Sequence, residues 1–227
     1  MSKEWRESIQ SILIAVFIAL MLRSFVVEAF KIPSGSMIPT LAIGDQIFVN
    51  KFRYGVRVPF TSIRLVDFAE PERGEVIVFI CPVEPHQDYI KRVVGLPGDE
   101  ILVRHNILPV NGKAMERKLI GTREYTDRDL NSDQWTTFRA EAWEETLDGR
   151  TYTVLQDPGV RSGGAHYGPS IVPEGHVFMM GDNRDHSYDS RMWGTVPVES
   201  ILGRSLVVWW SWGKDYLDTE RMGTWIN

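Results

Sequence analysis

Cysteine is almost absent from this sequence of 227 residues, which contains only Cys81. A single cysteine excludes an internal disulfide bond and any metal site built from several cysteines. Because Cys81 ends the apolar run 76–81, we expect it to be a small residue of the core. The five histidines show none of the spacings typical of a metal site, such as His-Glu-x-x-His. The sequence therefore predicts neither a disulfide framework nor a bound metal.

Positive charge is also scarce. The 25 lysines and arginines are outnumbered by 30 aspartates and glutamates, and the net charge is −5. Domains that bind nucleic acid usually carry clustered basic residues, and no basic stripe is present here. A glycine-rich loop that would bind phosphate is missing as well. We therefore expect no nucleic acid partner and no cofactor.

The N-terminal apolar run is short for a membrane span. It covers 12–22, or 11 residues, whereas a transmembrane helix needs roughly 20. The wider segment 9–30 has 22 residues and includes polar interruptions, among them Arg23, whose long side chain can extend to a membrane interface. Length alone therefore does not decide the role of this segment.

Three interpretations of the N-terminal segment stay open. The segment is a membrane anchor, a cleavable signal peptide that ends at the small-x-small sequence Val27-Glu28-Ala29, or a buried amphipathic helix. Glu28 and the immediate continuation into the next motif weigh against cleavage. In the case of an anchor, Lys3 and Arg6 place the N-terminus in the cytoplasm.

After residue 30 the helical period disappears, and apolar segments of strand length take its place. The segments that predict strands are 46–51, 75–81, 89–94, 101–104, 177–180 and 201–210. Asn111-Gly112 is typical of a two-residue hairpin turn. The polar, weakly periodic stretch 104–173 indicates an inserted, mostly β subdomain with long loops. We predict a mainly β protein with one N-terminal helix.

A stiff, irregular segment follows the N-terminal region: Pro33-Ser34-Gly35-Ser36-Met37-Ile38-Pro39-Thr40-Leu41. Its prolines fix φ and remove backbone donors, which excludes a regular helix or a central strand. Gly35 allows the backbone to bend and another segment to approach closely. Such a segment can hold one hydroxyl group still and exposed, although its composition also fits an ordinary serine-proline turn.

Lys91 is unusual because it lies within the β-branched strand segment 89–94. On an edge strand, a lysine at such a position protects against aggregation. In apolar surroundings its pKa, ordinarily about 10.4, falls by several units. The amine is then able to take a proton from a serine. Alternation places Lys91 on the same face as Tyr89 and Val93.

The segment Gly181-Asp182-Asn183-Arg184-Asp185-His186-Ser187-Tyr188-Asp189-Ser190-Arg191 follows a predicted strand and is dense in hydrogen-bonding groups. It is either a polar surface loop or a self-bonded loop that braces a site. It does not fit a calcium loop, because Arg184 and His186 occupy ligand positions.

Three segments, taken in order, resemble the conserved boxes of bacterial type I signal peptidases: the serine-proline segment 33–41, the segment 88–99 around Lys91, and the segment 181–191. The strand after Gly44-Asp45 resembles a further box. The resemblance covers about a quarter of the chain and does not extend to 104–173. It implies a membrane-anchored β catalytic domain outside the cytoplasm that removes signal peptides with a Ser/Lys dyad. The disulfide and second anchor of some family members have no counterpart here.

The resemblance also implies roles for individual residues. Ser36 resembles the nucleophile and Lys91 the general base, while Ser34, with the backbone N–H of Ser36, resembles the oxyanion hole. Ser187 resembles the serine that orients the lysine. The pairs that resemble bracing pairs are Asp189 with Arg191 and Asp182 with Arg92. The residues that match substrate-pocket positions are Phe30, Ile32, Met37, Leu41, Tyr89 and Ile90.

From this resemblance we expect residues 1–28 to form a tail and anchor and 29–227 the catalytic domain, with 104–173 inserted in it. The expected location is the bacterial cytoplasmic membrane, with a single span and an extracytoplasmic catalytic domain. Expected partners are precursors that carry signal peptides, and membrane lipid. Trp209, Trp210 and Trp212 form either an interfacial patch or part of the core.

Two other function classes compete with the peptidase. One is a membrane-anchored β binding module in which Ser36 and Lys91 are structural. The other is a related Ser/Lys self-cleaving repressor, which requires a DNA-binding helix-turn-helix, whereas the N-terminal helix predicted here is apolar. Loss of cleavage of a signal-bearing precursor in Ser36→Ala distinguishes these classes.

Overall fold

The computed structural model describes residues 3–25, 27–57, 64–128, 134–160 and 163–226. Within these ranges the chain is mainly β, with a long helix α1 at the N-terminus and a short helix α2 that begins within the segment 181–191. The helices are α1 (Lys3–Phe25) and α2 (Ser190–Trp193). The strands are β1 (Val27–Lys31), β2 (Asp45–Asn50), β3 (Gly55–Arg57), β4 (Arg64–Asp67), β5 (Val76–Ile80), β6 (Asp88–Gly95), β7 (Glu100–Arg104), β8 (Pro109–Val110), β9 (Lys113–Ala114), β10 (Glu116–Arg128), β11 (Trp135–Leu147), β12 (Arg150–Gln156), β13 (His166–Ile171), β14 (His176–Met180), β15 (Val196–Pro197) and β16 (Ile201–Ser211).

The largest sheet has seven strands in the order β1-β2-β16-β5-β6-β14-β15. Each strand predicted from an apolar segment is present, with ends that differ from the prediction by at most one residue. Strand β2 alternates between buried and half-buried residues, because one face packs on the core and the other is partly solvated. In β5, residues 76–79 are all buried, as expected for a strand covered on both faces.

Region 104–173 contributes strands β8 to β13. Three of them form a separate sheet in the order β10-β11-β12, and the others share the sheet β13-β7-β8-β9 with β7. The predicted hairpin turn is confirmed, since Asn111 and Gly112 join β8 to β9 with φ values of 53° and 72°. The β character predicted for this region is therefore present, while β7 links it to the chain before residue 104.

Helix α1 begins at Lys3 and ends at Phe25. Ile12, Leu13 and Ile14 are more than half exposed, so this part of the helix is not the predicted buried amphipathic helix. Among the described residues, no helix has the length and apolar content needed to span a membrane. The side chains of residues 17–26 lie outside the described residues, and the anchor stays a prediction.

The proposed cleavage sequence Val27-Glu28-Ala29 lies inside β1 and pairs with Asn50, Val49 and Phe48 of β2. This tripeptide is thus part of the seven-stranded sheet. Cleavage after Ala29 would remove more than half of the edge strand, which argues against the signal-peptide interpretation.

The core contains several apolar clusters, and one of them carries the serine-proline segment. Met37 and Leu41 are fully buried in that cluster, together with Ile47 of β2 and Val78 of β5. Burying side chains of this size stabilises the fold by about 1.5–3 kcal/mol each. The segment that follows Ser36 is thus fixed to the sheet. Cys81 is buried, as predicted.

Gly44 joins the serine-proline segment to the C-terminal region. Its N–H donates to the carbonyl of Ile32 at 2.9 Å, and its carbonyl accepts from the N–H of Trp212 at 3.2 Å. The φ of Gly44 is +92°, and an added Cβ would lie 1.8 Å from the carbonyl oxygen of Trp212. Both the conformation and the close approach therefore require glycine.

We predict that Gly44→Ala lowers the free energy of unfolding more than Gly149→Ala does. Gly149 has a φ of +79° but nothing within 4 Å of its added Cβ, so this control isolates backbone strain of about 1–2 kcal/mol. Gly44→Ala adds a collision with backbone. Chemical denaturation monitored by tryptophan fluorescence measures both losses. Equal losses would contradict the proposed close contact.

Candidate active site

Ser36 lies in a single 3₁₀ turn, Gly35–Met37, which begins where the extended Ser34 ends. The turn is closed by a hydrogen bond from the N–H of Ile38 to the carbonyl of Gly35 at 3.1 Å. The loop 181–191 holds it from the other side: Asn183 donates its side-chain amide to the carbonyl of Gly35 and its backbone N–H to that of Ser36, both at 3.1 Å. The turn thus presents the Ser36 side chain in a fixed direction.

Lys91 and Ser36 contact each other. The Lys91 Nζ atom lies 2.7 Å from Ser36 Oγ and also donates to the carbonyl of Ile90 at 2.9 Å. Lys91 is 3 % exposed and lies in β6, which pairs with β5 and β14. The alternative of an exposed lysine on an edge strand is therefore wrong.

Burial lowers the pKa of Lys91 to about 8, against the weaker opposing effects of Asp189 and Cys81. No carboxylate of the described residues forms an ion pair with Lys91 that would cancel this effect. At neutral pH roughly a tenth of the molecules carry the neutral amine, which is able to accept a proton from a hydroxyl group.

The other predicted serines differ in their placement. Ser34 Oγ lies 3.4 Å from Ser36 Oγ, beside the reactive position. The expected hydrogen bond between Ser187 and Lys91 is not formed. Ser187 Oγ is buried without a hydrogen-bond partner, although it lies near enough to Asp189 to help lower the pKa of that carboxyl group.

Both predicted bracing pairs are formed and buried. Arg92 donates to both carboxylate oxygens of Asp182 at 2.8 and 2.7 Å, and Arg191 donates to both oxygens of Asp189 at 2.8 Å. Burial alone would raise the pKa of Asp189, but its pair with Arg191 outweighs burial and holds the pKa below its ordinary value. Asp189 also accepts from the N–H of Gly181 at 2.9 Å.

A third buried ion pair was missed by sequence reasoning. Arg184 of the loop donates to both carboxylate oxygens of Glu145, the first of them at 2.9 Å, and both side chains are 1 % exposed. Glu145 lies on β11, within the inserted region, where it is one of three glutamates and does not stand out. Residues 181–184 and 189–191 are buried, so the loop braces the site and is not a polar surface loop.

The predicted pocket residues fall on two faces. Ile32, Met37, Leu41 and Ile90 belong to one buried cluster, with Phe30 packed against it. Tyr89 belongs to another cluster, and its ring contacts Trp193 with centroids 5.5 Å apart. Tyr89 and Ile90 are neighbours on a strand and therefore point to opposite faces. Five of the six side chains that match pocket positions thus lie together on one face and form a wall, and Tyr89 lies apart from them.

Two of the three clustered tryptophans are at the surface. Trp209 is 39 % exposed and Trp212 is 55 % exposed, and Trp209 stacks on Phe48 with ring centroids 5.3 Å apart. These two side chains are not part of the interior. Among the described residues, no group of three or more histidines, cysteines or acidic side chains is arranged to hold a metal ion.

Comparison with known proteins places this chain in a family. Residues 5–210 match the family described as "Signal peptidase, peptidase S26". A signal peptidase I of Pseudomonas fluorescens is 44% identical over 89% of this chain and 71% of its own length. A signal peptidase I of Pseudomonas aeruginosa is 43% identical over 87% and 69%, and one of Buchnera aphidicola subsp. Schizaphis graminum is 37% identical over 91% and 75%. The chain therefore belongs to the signal peptidase family, peptidase S26, and is an enzyme of that family.

Proposed function

We propose that this enzyme removes N-terminal signal peptides from exported precursor proteins, with Ser36 as nucleophile and Lys91 as general base. The observation that carries the proposal is the buried contact of 2.7 Å between Lys91 Nζ and Ser36 Oγ. The names of the relatives, all signal peptidase I, support the substrate class. Family membership favours this function over the membrane-anchored binding module and the self-cleaving repressor.

The reaction proceeds in two acyl-transfer steps. Neutral Lys91 takes the proton of Ser36 as Oγ attacks the scissile carbonyl carbon, and a tetrahedral oxyanion forms. The lysine ammonium then gives this proton to the leaving amine, the C–N bond breaks, and the new N-terminus of the mature protein departs. Lys91, neutral again, deprotonates a water molecule that attacks the acyl-enzyme. The ester bond breaks, and Ser36 regains its proton.

The oxyanion is stabilised by donors on the same turn. We assign this role to the backbone N–H of Ser36 and to the hydroxyl of Ser34, which lies 3.4 Å from Ser36 Oγ. A donor fixed before the reaction costs no reorganisation in the transition state. The buried pairs Asp182–Arg92 and Asp189–Arg191 fix the loop that supports the turn. We also propose that Ser187 orients Lys91. For this its hydroxyl has to move, because it forms no hydrogen bond with the lysine in this structure.

The substrate binds in extended form beside the first residues of β6. Strand β14 pairs with Arg92, Val93 and Gly95, so residues 88–90 have an unpaired edge next to Lys91. An extended peptide adds to such an edge and places alternate side chains in pockets. The wall consists of bulky side chains that pack against one another: Phe30, Ile32, Met37, Leu41 and Ile90. Only shallow pockets are then left for the residues at −1 and −3.

We further propose a single-pass protein of the bacterial cytoplasmic membrane, with residues 1–28 as tail and anchor and residues 29–227 outside the cytoplasm. The proximity of β1 to helix α1 supports this placement, since the chain passes from one to the other within two residues. The exposed Trp209 and Trp212 are suited to the headgroup region of the lipid. In this proposal, region 104–173 is an insertion in the catalytic domain.

The dyad assignment predicts that Ser36→Ala and Lys91→Ala each abolish cleavage of a signal-bearing precursor, with no loss of fold. Lys91→Arg is also expected to be inactive, because a guanidinium group stays protonated. Cleavage is measured on gels with purified variants, and circular dichroism checks the fold. Lys51→Arg is the matched control. Lys51 forms a surface ion pair with Glu28, and this variant is expected to keep full activity. Substantial cleavage by folded Lys91→Arg would exclude Lys91 as the base.

The lowered pKa of Lys91 predicts the pH dependence of the free enzyme. Its neutral form is the active one, so kcat/KM rises with pH and levels off above about 8, the pKa that burial gives Lys91. Below that value kcat/KM falls about tenfold for each pH unit. Cleavage of a peptide substrate between pH 5 and pH 10 measures the profile. If kcat/KM instead rose with an apparent pKa near 10.5, the ordinary value for lysine, burial would not lower the pKa of this amine.

The shallow pocket predicts cleavage after small-x-small sequences. Exchange of alanine at −1 for leucine or phenylalanine is expected to block cleavage, because the wall has no space for a larger group, while most residues are tolerated at −2. Steric exclusion discriminates more strongly than one missing methylene, which is worth about 1–3 kcal/mol. Rates for a matched series of peptides test this. Efficient cleavage after phenylalanine would refute the pocket while leaving the dyad intact.

A further inference from the structure

The inserted region reaches the turn of Ser36 through the carboxylate of Asp127, near the end of β10. An added Cβ on Gly35 would lie 2.4 Å from both the carboxyl carbon and Oδ1 of Asp127. Gly35 does not have a positive φ, so its backbone conformation is open to any residue. A methyl group at this position would therefore displace the Asp127 carboxylate, which packs directly against the backbone between Ser34 and Ser36.

The Asp127 carboxylate is held in place by three neighbouring groups. The backbone N–H of Arg128 donates to Oδ1 at 2.8 Å. Partial burial raises the pKa of Asp127, whereas this N–H, the nearby His186 and the backbone N–H of Gly35 favour the charged form. The carboxylate thus faces the amide of Gly35 from one side and the loop 181–191 from the other.

A second residue on the same strand face holds the opposite side of the turn. Tyr125 lies two positions before Asp127, so both side chains point the same way from β10. The Tyr125 hydroxyl donates to Asn183 Oδ1 at 3.3 Å. Asn183 in turn donates to the carbonyls of Gly35 and Ser36. The Gly35–Ser36 segment is therefore clamped between Asp127 and Asn183, and β10 supports both.

We propose that Asp127 is a positioning residue of the peptidase: its contact with Gly35 holds the turn so that Ser36 Oγ faces Lys91 and the Ser36 N–H faces the substrate carbonyl. This inference rests on the proposed function of Ser36 and Lys91. It also gives the inserted region a role, since the sheet β10-β11-β12 completes the support of the nucleophile. The amide of Gly35 interacts with Asp127, which leaves the Ser36 amide and the Ser34 hydroxyl to bind the oxyanion.

Kinetics of Asp127→Ala and Asp127→Asn test the positioning role. Asp127→Ala is expected to lower kcat about tenfold and to change KM less than twofold, because misplacement of the nucleophile affects the chemical step. Asp127→Asn keeps an acceptor oxygen and loses less than threefold. In both variants kcat/KM keeps the pH dependence that Lys91 gives the wild-type enzyme. Glu124→Gln, an exposed charge removal on the same strand, is the control and keeps wild-type kinetics.

Full kcat in Asp127→Ala would overturn the inference. So would a tenfold rise of KM at unchanged kcat, which indicates direct contact with substrate. A loss of kcat that is equal in the alanine and asparagine variants would assign the effect to charge and would also refute positioning by contact.

A double-mutant cycle tests the contact without using activity. Gly35→Ala is expected to lower the thermal midpoint by several degrees, because its methyl group collides with Asp127. In the Asp127→Ala background at least half of this loss disappears, because the space is vacated. Additive losses would show that the contact does not constrain the turn and would refute the inference. If the wild-type enzyme failed to cleave precursors, the proposed function would fall, and this cycle would still decide whether Asp127 holds the turn.

Discussion

The burial of Lys91 against Ser36, without a carboxylate partner, is the constraint on which the rest of the site depends. Burial lowers the pKa of this amine from 10.5 to about 8. Such a shift corresponds to a cost on the order of 3 kcal/mol when the amine is protonated. The folded-state pKa lies below that of the unfolded chain, so the cost is fully present below pH 8 and disappears as pH rises past about 10.5. The surrounding structure has to supply that free energy.

The carboxylates near Lys91 explain why so many arginines surround the site. Asp182 and Asp189 both raise the pKa of Lys91, which works against a neutral amine. Each of them is held by a buried arginine, Arg92 or Arg191, with two hydrogen bonds. Breaking a buried pair by removing one partner costs about 3–5 kcal/mol, since a bare charge is left behind. The arginines thus fix the loop 181–191 and also limit the attraction between these carboxylates and Lys91.

Local patterns in the sequence predicted the strands, and the resemblance predicted contacts between the motif segments. Apolar segments of strand length located β2, β5 and β6. Strand β2 alternates because one of its faces is more deeply buried, whereas residues 76–79 of β5 are buried on both faces. The motif residues Ser36, Lys91, Asp182 and Asp189 are brought together as expected. The predicted bond from Ser187 to Lys91 is absent, and the same alternation that placed Lys91 correctly puts Tyr89 on the face opposite Ile90.

Contacts that the inserted region makes with the site were beyond sequence reasoning. Glu145 pairs with Arg184 across 39 positions, and Asp127 packs on Gly35 from a strand far along the chain. Neither acidic residue differs in its local sequence from the exposed glutamates and aspartates around it. Asp127 and Glu145 become functional candidates only in the folded protein. The register of β10 with β11 and the position of that sheet beside the loop 181–191 bring them to the site.

The open edge beside Lys91 connects burial with substrate binding. In the free enzyme Lys91 is 3 % exposed, yet the backbone edge of residues 88–90 pairs with no described strand on the side of β14, and Asp88 at its start is exposed. A peptide that pairs with this edge covers Lys91 with its own backbone and with small apolar side chains. Removal of the last water contacts penalises the ammonium form further, because desolvation is already the largest cause of the pKa shift. Under the proposed function, the neutral form of Lys91 that accepts the proton of Ser36 is therefore most populated when a substrate is bound, and the contact proposed to select small residues at −1 and −3 also favours this form.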